Sequence, residues 1–177
     1  LLVFAHTRRA DVFRRLFWTL TAFTFAHSIT LAAAVLGVVT MPSDAVECVI
    51  AMSILLLAIE LTRAEDEPPT LASSRPGAVA FIFGLLHGLG FAGALNELGL
   101  PEENLFGALL LFNIGVEAGQ IAFVAIVVSI GWSLRKTRPN FEEVARRAAI
   151  YLLGTLAMYW SLERGGQLLT RLFSSSV

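Results

Sequence analysis

The chain has 177 residues, of which 56% are hydrophobic and only 15% charged, and its mean hydropathy is +0.72. An ordinary soluble domain carries about 25% charge, so this composition excludes a standalone soluble enzyme and a disordered chain. Thirteen Lys and Arg against fourteen Asp and Glu give a net charge of −1, and there is one cysteine. No basic footprint exists for nucleic acid, and no disulfide framework or thiolate metal cluster can form within the chain.

The first segment, residues 1–15, opens on an apolar LLVFA followed by His6 and Arg8, Arg9, Arg14 and Arg15. It lacks the charged start, apolar core and small-residue cleavage site of a signal peptide. It reads as the tail of a preceding helix and a basic cytoplasmic loop, so the expectation is a piece of a longer membrane protein. Between Arg15 and Asp44 lie 28 residues without a charge, and between Arg75 and Glu97 lie 21. A charge-free run of about 18 residues or more is long enough to cross lipid as a helix. The spans are predicted at 16–40, 45–62, 77–98, 104–134 and 145–169. The fourth is longer than one crossing requires, so it tilts, protrudes or breaks near Gly115 and Gly119.

Short polar turns at 41–44 and 99–102 join the spans. A longer stretch, 63–76, holds Arg63, Glu65, Asp66 and Glu67 and then Pro68, Pro69 and Pro76, which cannot lie in lipid. The predicted fold is thus all-α, a polytopic transmembrane helix bundle over 16–177 with five spans here and six in the intact protein. Lys and Arg set the orientation: eleven fall in 1–15, 63–76 and 135–147, against Arg164 and Arg171 on the other side. Residues 6–15, 63–76 and 135–147 are expected in the cytoplasm of a bacterial-type inner membrane, with the C-terminus outside.

Ionisable groups at bilayer depth are costly and mark function. His27 and His87 lie in separate spans, each about 15 Å from the cytoplasmic end at 1.5 Å per residue. Asn113, Glu117 and Gln120 are spaced to share one helical face. Thr21, Thr24 and Ser28 form a hydroxyl stripe beside His27. Glu47 and Glu60 stand near opposite ends of the second span, about 140° apart around the helix. Neutral imidazole with carboxylate and amide oxygen suits nickel, cobalt, zinc or copper, and sparse mixed ligands let an ion bind and leave.

The expected metal-contacting set is therefore His27, His87, Asn113 and Glu117, with Glu47, Glu60, Gln120, Ser28 and Thr24 as a secondary set. The ion is substrate, and no permanently bound cofactor is expected. Three function classes fit: a metal-ion permease, an intramembrane metal-dependent hydrolase using the same histidines, and a non-transporting partner subunit. The last would use the small-residue faces of Gly84 and Gly88, or Gly90 and Ala94, for assembly. Expected partners are the lipid bilayer, the metal ion, and either a second copy in a homo-oligomer or the missing N-terminal part of the same protein, with no nucleic acid.

The motifs TAFTFAHSITL (21–31), ECVIAMSI (47–54), FGLLHGLGFAGAL (83–95) and FNIGVEAGQ (112–120) resemble the HupE/UreJ family, in the branch where an extracytoplasmic domain precedes the membrane part. The resemblance covers nearly the whole chain and implies an integral membrane protein of nickel or cobalt uptake. Family members carry a helix with a histidine and an Asp-His pair before the first span seen here, which this sequence lacks. The nickel-permease branch also has a further histidine and a glutamate in the His87 motif, where Phe91 and its neighbours stand.

Overall fold

Helix α1 (Arg9–Val35) stops five residues before the predicted span, which ends at 40. The cause is Gly37, which takes φ 71°. Its N–H donates to Ala34 O (3.1 Å), and that of Val38 reaches back to Ala33 O (2.9 Å), the paired closure that a left-handed glycine permits at a helix end. At the other end α1 extends seven residues beyond the predicted span, because arginines end a lipid-facing stretch without ending a helix. The computed structural model describes residues 9–63, 66–98, 104–135 and 140–174, with the side chains of 9, 10, 93–98, 135 and 172 outside that description. The expected helix tail at 1–5, His6 and the turn at 99–102 lie outside the described residues.

The remaining helices are α2 (Ser43–Glu60), the single turn α3 (Leu71–Ser74), α4 (Pro76–Leu98), α5 (Leu105–Arg135) and α6 (Phe141–Ser174). Among the described residues there is no strand. Asp44 in the first turn of α2, and Glu142 and Glu143 in that of α6, complement the positive helix starts. Pro76 opens α4, where its missing N–H costs nothing. Helix α5 runs unbroken through Gly115 and Gly119; nothing lies within 4 Å of where a Cβ would project from either.

The helices pack in the order α5, α1, α4, α2, α6. Helices α1 and α4 run parallel. Gly84 faces Phe23 and Ala26, Gly88 faces His27, Thr30 and Leu31, and Ala92 joins Leu31 and Leu109 in the buried core. A Cβ on Gly84 or Gly88 would collide with the carbonyl oxygens of Phe23 and His27 respectively. Small residues four apart therefore bring α4 onto the backbone of α1. Gly90 serves the other side of α4, where a Cβ would stand 2.5 Å from Ile50 Cδ1 of α2. Helices α2 and α6 are antiparallel: Arg171 Nε lies 2.9 Å from Asp44 Oδ2, and Arg146 Nη1 donates to Leu61 O at 3.1 Å.

Two helical segments, Asp11–Val35 and Leu105–Leu134, are long and apolar enough to cross a membrane. In the second, none of the most apolar 18-residue stretch is buried in the molecule, so it is not the core helix of a soluble protein. Its Phe106 and Leu111 are 81% and 71% exposed, a surface that suits lipid. The five expected crossings are not all met by this measure. Helix α2 carries Asp44, Glu47 and Glu60, α6 is more polar, and the described apolar stretch of α4 is Pro76–Ala92.

The described part of the 63–76 connection, residues 63 and 66–76, is held by side-chain bonds. Arg63 pairs with Glu67 (2.8 Å) and donates to Pro68 O (3.2 Å). Thr70 and Ser73 form a reciprocal capping box that opens α3, and the Thr70 hydroxyl donates to the Glu60 carboxylate.

Candidate metal path

The glycine-lined contact of α1 and α4 determines what meets at mid-depth. Phe23 and His27 are four apart on α1, and His87 and Phe91 are four apart on α4, so each pair shares a helical face. Parallel close packing interleaves them. The Phe23 ring stacks on His27 (centroids 6.1 Å, 15° between planes) and meets His87 edge-on (5.4 Å, 67°). Phe91 meets His27 edge-on at 5.5 Å and lies 6.2 Å from Phe112 of α5. Both imidazoles thus sit against one phenyl ring, as expected of two histidines at the same level.

Their polar environments differ. His27 is 2% exposed, and neither ring nitrogen has a hydrogen-bond partner. A buried imidazole without partners is expensive in an apolar bundle, and its lone pair is free for a ligand. His87 is half-buried, with Nε2 3.3 Å from Ser53 Oγ of α2.

The other expected residues lie on the α1–α5 contact. Asn113 is 9% exposed; its Nδ2 donates to Leu109 O (2.8 Å), and Oδ1 has no partner. Glu117 Oε1 accepts from Thr21 Oγ1 (2.8 Å), and Gln120 Oε1 accepts from Thr24 Oγ1 (3.1 Å). Ser28 donates to Thr24 O (2.7 Å). The set therefore divides: an imidazole pair between α1 and α4, and a hydroxyl–carboxamide–carboxylate seam between α1 and α5, with α1 common to both.

Among the described residues no three His, Cys, Asp or Glu side chains form a group that could hold a metal ion. Glu117 is not gathered with the two histidines into a closed site.

Glu47 and Glu60 belong elsewhere. Glu47 pairs with Arg164 of α6 (2.8 Å), and Glu60 accepts from Thr70 at the other end of α2. Both arginines assigned to the outer side, Arg164 and Arg171, are thus paired with α2 acids. Phe23 and Ser53 were absent from the expected set. Phe23 was readable from its four-residue spacing to His27. Ser53 was not, because which face of α2 meets α4 depends on the fit of Ile50 over Gly90.

No curated protein and no solved structure gives a significant match to the chain. A family model described as HupE / UreJ protein matches residues 1–164. That match covers both histidine motifs and the α1–α5 seam, and on it the chain belongs to the HupE/UreJ family, a membrane-associated family to which its exposed apolar helices conform.

Proposed function

We propose that this protein is a permease for a divalent transition-metal ion, nickel or cobalt first and zinc or copper next. The ion passes the His27–His87 pair and the seam of Asn113 and Glu117. The observation that carries the reading is His27: it is buried at mid-helix, both ring nitrogens lack partners, and it shares a phenyl ring with a second imidazole. Neutral imidazoles ligate these ions well. A resident catalytic zinc normally takes three protein ligands, whereas two imidazoles followed by separate oxygen ligands favour an ion that binds and moves on. Family membership supports nickel or cobalt as cargo.

The membrane arrangement follows the same reading. Helices α1, α2, α4, α5 and α6 all cross a bacterial-type inner membrane, with 6–15, 63–76 and 135–147 in the cytoplasm and the C-terminus outside. The parallel run of α1 and α4, the antiparallel run of α2 and α6, and the eleven-to-two Lys and Arg distribution support it.

The test is nickel or cobalt entry into proteoliposomes holding a metal-sensitive dye. His27→Gln and His87→Gln should each lower entry by about tenfold or more, the scale on which lost metal-site groups act, with helicity and monodispersity unchanged. Entry at the wild-type rate in both variants overturns the reading.

A further inference from the structure

Ser53 lies in the ECVIAMSI motif, which the proposed path leaves without a role. It is 3% exposed, on the face of α2 that meets α4. A serine hydroxyl has one proton and two lone pairs. Ser53 Oγ is 2.7 Å from Ile50 O, a short bond in which only the serine can donate. Its proton is thereby used. The second neighbour, His87 Nε2 at 3.3 Å, can then bond only by donating its own N–H.

We propose that Ser53 is a positioning residue that holds His87 as the Nε2–H tautomer and so leaves Nδ1 as the atom whose lone pair meets the passing ion. This rests on the permease reading for its purpose but not for its geometry. A metal-binding imidazole commonly has its other nitrogen fixed in this way, which sets both tautomer and ring orientation. The arrangement also separates the two histidines chemically. His87 is oriented by a neighbouring helix, whereas His27 has no hydrogen-bond partner at either ring nitrogen.

Solid-state nitrogen-15 spectra of the histidine-labelled protein in lipid bilayers test this directly. The signals of His27 and His87 are assigned with His27→Gln and His87→Gln. In metal-free wild-type protein at a pH where imidazole is neutral, His87 should show a protonated Nε2 and a bare Nδ1. In Ser53→Ala the spectrum should become a mixture of tautomers, and Ser53→Thr, which keeps the hydroxyl, should restore it. Nickel entry in Ser53→Ala should fall about 10- to 100-fold, with recovery in Ser53→Thr. A protonated Nδ1 in wild type overturns the proposal, and that measurement needs no variant to fold. So does a Ser53→Ala spectrum identical to wild type. Failure of the permease reading would be seen separately, as undiminished entry in both His27→Gln and His87→Gln.

Discussion

In the first turn of α6 a single carboxylate serves two arginines. Glu143 Oε1 accepts from Arg147 Nε at 2.6 Å, and Oε2 from Arg146 Nη2 at 2.9 Å. The Arg147 bond first, and then the Arg146 bond, hold the Glu143 carboxyl below its ordinary value of 4.5. Because the folded value is the lower one, the stabilisation is fully present above the unfolded value and is lost as pH falls through the folded one. The same Arg146 also caps α2 through Leu61 O, so the loss reaches the α2–α6 contact. In detergent, the apparent melting temperature of wild type should drop more steeply than that of Glu143→Gln as pH is lowered from 6 toward about 3, across the carboxylate range. Parallel profiles would show the cluster to be inert. The effect should also shrink in high salt, since these side chains are partly exposed.

For a helix, what matters is which glycines carry contact. Gly88 has the His27 carbonyl and Thr30 Oγ1 where its Cβ would be, whereas Gly115 has nothing within 4 Å. Gly88→Ala should destabilise the protein by about 1–3 kcal/mol through overpacking. Gly115→Ala should be neutral or stabilising by up to about 1 kcal/mol, because it removes a helix-interior glycine. Denaturant unfolding in micelles compares the two, and equal costs would mean that the α1–α4 contact is not tight.

The same contrast explains how far the sequence could be read. The gap in charge located α4 and α5 within a residue or two, because lipid-compatible composition and helix length there coincide. For α1 they diverge: charge marks the edge of lipid, while Gly37 marks the end of the helix. A common level for His27 and His87 was legible from their places along the two spans, but the contact of α1 with α4 that brings both onto Phe23 was not. The bonds Thr21–Glu117 and Thr24–Gln120 were not, since they depend on how α5 is rotated against α1. Glu47 and Glu60, expected only as part of a secondary set, meet Arg164 and the Thr70 hydroxyl, partners that an acid near a helix end does not reveal in the sequence.

For the whole molecule the open question is its orientation across the bilayer. The connection at Ser74 and the turn at Val38 are both exposed and lie at opposite ends of the bundle. With Cys48 replaced by serine, a cysteine at Ser74 should react with an impermeant thiol reagent only from the cytoplasmic side, and one at Val38 only from the outside. The reverse pattern would invert the topology and with it the direction of entry.

The backbone contact of α4 on α1 has one more outcome. A helix whose glycines are seated on the carbonyls of its neighbour cannot slide by small amounts; the next seating is a full turn away, about 5.4 Å. The spacing of the two imidazoles is therefore set like a fixed caliper, with the phenyl ring of Phe23 as a jaw that meets both and Phe91 closing on His27. On the permease proposal, discrimination by ion size at this level would fall to aromatic rotamers rather than to the movement of a helix.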